Sequence, residues 1–397
     1  MATTGYQAGA DSNDLELSYA AETTWGTSPS GTYQKFRVNS EGFSESKSRT
    51  RPGEIRSDGQ AAAAVTQDVS SSGNIQFGIS YGNVDDLWAG ALNGAWTTAL
   101  NISATTIVAD ADTSQFQGSA GAFNSVQVGQ WVKVAGFGVA GANGFFRVTA
   151  KAGDGDTITV SPSPAEDANA GGSTITVRGS MLRNGTTFTS FTVQKRLGAS
   201  LGFAYPGTYF TGGQINARRG DFFSGTLDAL CRSEEKQEVA LGSGFTAAPT
   251  NKVMSVVTHL KSVALDGGAL AAKIMSVNST FQKEGAAAQY AVSSSGVDGT
   301  KAQGMRKGTF TANGTLEAYF SDYALYDKYK AEEEVNTSYR VTDGAGNTYI
   351  VTYPVVVLGK STITAGGPNS DVMANFEFGA DPDPVTGCTL QLDRFAA

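Results

Sequence analysis

The chain has 397 residues, of which 40% are apolar and 17% charged, with 49 glycines, 10 prolines and a net charge of −8 at pH 7. That length holds two or three domains with cores of their own, and a make-up rich in Gly, Ser, Thr and Ala suits an all-β protein with many turns better than a helical enzyme. The acidic balance argues against general nucleic-acid binding, which needs a basic face, but allows a surface that nucleic acid passes without sticking.

In chain order, residues 1–12 read as a loose arm, without the charged and apolar regions of a secretory signal. Residues 15–19 alternate and read as a strand. A loop around Trp25 and Pro29 leads to a second strand at 36–38. A basic loop carrying Lys47, Arg49, Arg51 and Arg56 follows. Strands are expected at 61–69 and 75–80, then a helix at 83–92 with Asp85 and Asp86 in its first turn, where the dipole favours acids. Composition shifts near Asn101. Four short β-like runs, with turn signals at Asn143-Gly144 and Gly153-Asp154-Gly155, make a self-contained unit over 101–180 of a size for a small antiparallel barrel. Residues 187–195 alternate and complete the first sheet. Beyond 207, strands are expected at 214–217, 222–229, 262–265 and 271–281. Residues 232–239 read as a charged helix or loop and 241–255 as a loop. Residues 338–342 and 348–357 form a hairpin across 343–347, and 371–378 and 388–395 supply the last strands. No run approaches the roughly 18 apolar residues of a membrane helix.

One design occurs twice. In residues 314–329, GTLEAYFSDYALYDKY, Leu316, Ala318 and Phe320 alternate with Glu317, Tyr319 and Ser321 as in a strand, and Leu325, Tyr326 and Tyr329 then fall at helical spacing. Residues 73–88, GNIQFGISYGNVDDLW, share it: Gly73, Ile75, Ser80, Asp86 and Trp88 match Gly314, Leu316, Ser321, Asp327 and Tyr329 at a constant offset of 241 residues (75 to 316). Val38-Asn39-Ser40 precedes the first copy and Val277-Asn278-Ser279 the second. A long, partly basic loop lies between triplet and strand in each copy, with Arg306 and Lys307 in the second. Solenoid repeats have periods of roughly 20–50 residues; a period this long implies two similar domains in one chain.

Little in the sequence carries chemistry. His259 is the single histidine, without a GxSxG elbow or a Cys–His pairing. P-loop, Rossmann and HExxH patterns are absent. Cys231 and Cys388 have no framework or metal spacing and read as ordinary thiols. Asp381-Pro382-Asp383-Pro384 and residues 343–347 have turn composition without calcium-loop spacing. Glu332, Glu333 and Glu334 read as a solvated helix end. The basic residues Lys47, Arg49, Arg51, Arg56, Arg306 and Lys307 are either solvated or a cationic contact to an acidic neighbouring surface.

LSYAAETTWGT, KFRVNSEGFSESKSRTRPGEIRSDGQ, VGQWVKVAGF with NGFFRV, RNGTTFTSFTVQKR and the later LYDKY, YRVTDGAGNTYI, DVMANFEF and GCTLQLDRF together resemble the major tail tube proteins of long-tailed bacteriophages over nearly the whole chain. The resemblance implies a β-sandwich core with one flanking helix. It implies that sheets of neighbouring subunits join into a β-lined ring, and that rings stack into a hollow tube for the phage DNA. A long loop, residues 44–59 here, would touch the next ring. The expected fold is therefore mainly β: two tandem tail-tube-type β-sandwich or barrel domains, each with a short flanking helix (1–100 with 181–206, and 207–397), plus a small inserted β-barrel domain (101–180). With two core units per chain where single-domain members have one, a homotrimeric ring of pseudo-sixfold symmetry is expected, with the insert projecting outside. The six basic residues above are the expected inter-ring contacts. The other implied partners are terminator, distal tail and tape measure proteins, and viral DNA passing without specific binding. No catalysis, cofactor, metal or membrane is expected. The place is the virion tail, after synthesis in the host bacterial cytoplasm. An outer-membrane or surface β-barrel is the alternative, since acidic, Gly-rich, alternating strands suit it, although such a protein needs a signal peptide. An enzyme on a β-sandwich scaffold comes third.

Overall fold

A computed structural model describes residues 9–292 and 299–397; of the expected loose arm, residues 1–8 lie outside the described residues. Strands dominate, as expected. Seven of them form the first half of the molecule, in the spatial order Thr32–Phe36, Leu15–Ala21, Phe191–Leu197, Leu201–Arg218, Ser224–Cys231, Val65–Gly78 and Ser44–Thr50, each antiparallel to the next. The helix Asp85–Ala91 follows Val65–Gly78. A second series has the same order: Gly268–Ala269, Leu260–Leu265, Val335–Thr342, Thr348–Ala365, Val372–Asp381, Thr309–Tyr319 and Ile274–Glu284, again all antiparallel. Here the helix Ala324–Ala331 follows Thr309–Tyr319. Each half is thus built around one strand of 18 residues, Leu201–Arg218 or Thr348–Ala365, bent at a bulge (between Phe210 and Gly212, and between Leu358 and Lys360). A bulge re-aims a strand and increases its twist, so one long strand serves two sheet directions.

The halves meet edge to edge. Residues 212–218 pair antiparallel with 276–282, Gln214 opposite Thr280, so that six long strands run side by side from Val65–Gly78 to Val372–Asp381. One core runs beneath them and includes Phe77, Trp88, Phe210, Ile215, Phe281, Leu316, Tyr353 and Phe376. The order of pairing bears on the sequence reading in two ways. The expected boundary at 206/207 falls inside a single strand. The triplets Val38-Asn39-Ser40 and Val277-Asn278-Ser279 are not equivalent, because Ser40 faces Gln76 whereas Ser279 faces Gly314, the counterpart of Gly73. The triplet match is three residues out of register.

The inserted segment lies between the first helix and Phe191–Leu197. Its strands run in the order Leu100–Ala104, Ile175–Arg183, Trp131–Ala135, Gly144–Lys151, Thr157–Ser161, Gln115–Gln117 and Val108–Asp110, around a separate core with Ile107, Phe116, Phe123 and Val132. Among the described residues no ladder joins the first strand to the last, so the expected barrel is an open, curled sheet. Ile175–Arg183 leaves the insert and runs on into the main body, where residues 180–183 pair with Gln391–Phe395. Trp131 Nε1 donates to Thr352 Oγ1 (2.9 Å), and the Phe145 ring packs edge-on against Phe395 at 5.0 Å.

Two elements differ from expectation for a local reason. Residues 44–50 are strand, not loop, and the loop proper is 51–64. The two strands expected at 61–69 and 75–80 are one, Val65–Gly78. Ser70, Ser71, Ser72, Gly73 and Asn74 carry turn composition, but Ser70, Ser72 and Asn74 lie on the polar face of the sheet. Gly73 is needed where it stands because a Cβ there would come within 2.6 Å of the Phe43 Cα.

Candidate assembly surfaces

The side chains of the joined strands alternate between the core and a solvent face. Ile75, Phe77, Leu227, Ile215, Phe281, Leu316 and Phe376 point inward. The solvent face carries Asn74, Gln76, Thr226, Gln214, Asn278 and Thr315 in facing pairs (Gln76 with Thr226, Asn278 with Thr315). Its charges are sparse: Asp68, Asp228, Glu284, Glu317, Glu377 and Asp381 against Arg218 and Lys360, with Lys360 bonded to Glu377 at 2.6 Å. The face is therefore polar and weakly acidic. It lacks the apolar outward band that a membrane barrel presents to lipid, which gives the barrel alternative no support. No helix of the described residues is long and apolar enough to cross a membrane. The sequence reading missed this face, although Asn74 and Gln76 alternating with Ile75 and Phe77 already showed it.

The six basic residues sit on two separate hairpins. Lys47 is on Ser44–Thr50, largely exposed, with Glu45 Oε1 3.8 Å away. Arg49 and Arg51 donate to the carbonyl oxygens of Ala64 and Ala62 (2.7 and 2.6 Å), bracing the base of the 51–64 loop. Arg56 holds Asp58 through two bonds of 3.1 and 2.6 Å. Arg306 donates to Gly285 O and Lys307 to Thr186 O. The second hairpin also reaches the first half, with Val69 N donating to Thr300 O at 2.8 Å.

Two long edges of the main sheet have no ladder partner among the described residues: the outer edge of Ser44–Thr50, and that of Thr348–Ala365 beyond Val356. Long unpaired edges are normally blunted or consumed by pairing.

The internal joint holds a buried cation. Lys283 Nζ donates to Phe210 O (2.7 Å), Asn93 Oδ1 (2.8 Å) and Gly90 O (3.2 Å) and lies 4.1 Å from the Tyr209 ring centre. Burial lowers its pKa to about 7. A second polar link joins the halves at the first helix. Buried Asp85 accepts from Tyr349 and pairs with Arg394, whose guanidinium stacks 4.2 Å over Trp96. Burial raises the Asp85 pKa, while Tyr349 and Arg394 oppose the shift.

The remaining candidates have structural roles. His259 Nδ1 accepts from Ser255 N (2.7 Å), closing a single helical turn. Asp343 accepts from the backbone N–H groups of Ala345 and Asn347, and Asp383 from those of Val385 and Thr386, as turn residues do. The thiol of Cys231 is buried against Thr208, and burial pushes it up to about 12; a thiol so raised is inert.

The described residues form a doubled sandwich with a polar strand face and free edges, an architecture that suits a structural protein. The sequence matches the family profile described as phage tail tube protein over residues 12–380. The chain belongs to that family. Comparison with curated proteins gives no match. Family membership makes this tail tube protein a structural component of the virion tail.

Proposed function

We propose that three copies of this tail tube protein close into a ring, that rings stack into a hollow tube, and that the genome leaves the capsid through it. The observation that carries the reading is the repeated strand order together with the internal edge-to-edge joint. One chain supplies two equivalent positions, and a ring with six positions takes three chains. Head-to-tail contacts between different surfaces close into rings when the rotation allows. On this reading the units are better drawn as 15–239, interrupted by the insert, and 260–395.

The polar face of the long strands would line the channel. Its amides and hydroxyls are uncharged, its carboxylates outnumber Arg218 and Lys360, and Lys360 is paired with Glu377, so phosphate would be repelled on balance and the genome would slide without specific binding. The insert, present only in the first unit, would project outward three times per ring. Tape measure protein would fill the channel before the DNA, and terminator and distal tail proteins would take the two end rings. Synthesis would take place in the host bacterial cytoplasm. The chain count per ring, from native mass or cryo-microscopy symmetry, tests the proposal. Three is expected, and six would overturn it.

A further inference from the structure

The internal joint can be transferred residue by residue. In the first half Ser44 stands opposite Ser72, and in the second Thr280 stands opposite Asn313, which is 241 positions after Ser72. Three residues on from each come Lys47 and Lys283, opposite Val69 and Phe310. Lys47 is therefore the counterpart of the lysine buried in the joint. The receiving side also has a counterpart. Phe210 and Leu358 each stand just before the bulge of their long strand. Asn93 and Glu332 each end their helix with φ 51°, and the next N–H, Gly94 or Glu333, returns to a carbonyl five residues back, Ala89 or Lys328. The sites of Gly90 O, Asn93 Oδ1 and Phe210 O, which hold Lys283, thus recur as Tyr329 O, the Glu332 carboxylate and Leu358 O. In the second half Glu332 is exposed, at the C-terminal end of a helix where the dipole favours a cation.

We propose that the free edge at 358–365 takes residues 41–46 of a second copy in the register of the internal joint, Thr362 opposite Ser44 and Ile363 opposite Phe43, and that Lys47 of that copy binds Glu332 and the peptide oxygens of Tyr329 and Leu358. The inference rests on the ring reading and names its contacts. Ile363 supports it: it is 38% exposed, whereas its counterpart Ile215, covered by the internal joint, is 3% exposed. The chemistry differs in one respect. Lys283 meets a neutral amide, in a joint that the chain itself tethers. Lys47 would meet a carboxylate, so the untethered joint gains an ion pair and becomes salt-sensitive. Lys47 thereby belongs within the ring, and the stacking contacts fall to the arginines of the loop.

Paired cysteines test the register in assembled protein. Ser44→Cys with Thr362→Cys should oxidise to a cross-linked closed trimer at least tenfold faster than Ser40→Cys with Thr362→Cys, where the partner lies about 13 Å further along the strand. The native Cys231 and Cys388 are buried and do not compete. Equal or reversed yields overturn the register. Separately, Lys47→Glu and Glu332→Lys should each abolish most assembly and together restore it; singles without effect, or a double no better than the singles, overturn the ion pair. Rods that form without the cross-link refute this joint and leave the tube reading standing. Wild-type protein that never polymerises refutes both.

Discussion

Asp85 is the residue at which the sequence is most easily misread. A first-turn acid reads as a helix-dipole partner, but the structure buries it and makes it the acceptor for Arg394 and Tyr349 from the far end of the chain. Removing one member of a buried pair strands the other, so Asp85→Ala should cost about 3 kcal/mol or more in denaturant unfolding. A loss below about 1 kcal/mol, the worth of an exposed pair, would show that Arg394 is solvated. Two other buried groups set the pH dependence. Lys283, lowered to about 7 by burial, has lost its proton in the folded chain between about pH 7 and the ordinary 10.5 while the unfolded chain keeps it, so stability rises with pH across that window. Asp393, raised to about 7 by burial, keeps a proton in the folded chain from the ordinary 3.8 up to about 7, and stability falls with pH there. Together they place a minimum near pH 7. Thermal melts should show both limbs, with Lys283→Met flattening the upper and Asp393→Asn the lower; a variant that leaves its limb unchanged removes that residue from the account.

At the scale of elements, the insert is both independent and attached. It has its own core, yet Trp131 and Phe145 rest on the main body. Replacing residues 105–174 by a short turn keeps the ladder between Leu100–Ala104 and Ile175–Arg183 as a hairpin. That variant should fold with a lowered melting temperature and still form tubes. If it folds and electron microscopy finds no tubes, the insert belongs to the wall. Alternation made most strands legible in the sequence, as at Leu316, Ala318 and Phe320, and a change of period revealed both helices. Polar strands were not legible. Ser70 to Asn74 carries turn composition because one face is solvated, and Gly73 is there for the Phe43 ring, a contact made across the sheet. The bulges at 210/212 and 358/360 leave only Gly212-Gly213 and Gly359 as a local trace, and the 18-residue strands read as shorter ones. Of the surfaces, the basic residues were visible as charges, but their separation onto two hairpins depends on long-range pairing, as does the equivalence of Lys47 and Lys283.

For the whole molecule, the proposed stacking of rings would engage Arg49, Arg51 and Arg56. Exposed pairs contribute only about 0–1 kcal/mol each, so any effect must come from repetition round the ring. Reversing all three to Glu should shorten tubes, as should high salt, while circular dichroism shows the subunit folded. Tube length indifferent to both would leave the loop without a stacking role. The reversal also removes the bonds to Ala64 and Ala62, so a Gln series at the same positions separates loss of charge from loss of the loop's bracing.

The order of strands along the chain has a further consequence, which concerns time. Residues 212–218 are made well before 276–282, the segment that covers them. At a synthesis rate of roughly 5–20 residues per second, that edge stays open for about 3–13 s. During this interval the first half, with most of its strands already made, presents an edge that, in the proposed register, would take residues 41–46 of a finished subunit nearby as well as its own later strand. A nascent chain that accepted the wrong partner would place a second first half where its own second half belongs. In the proposed register the neutral Asn93 would guard against this, since it offers the Lys47 of an intruder no charge, whereas Glu332 lies on the half not yet made.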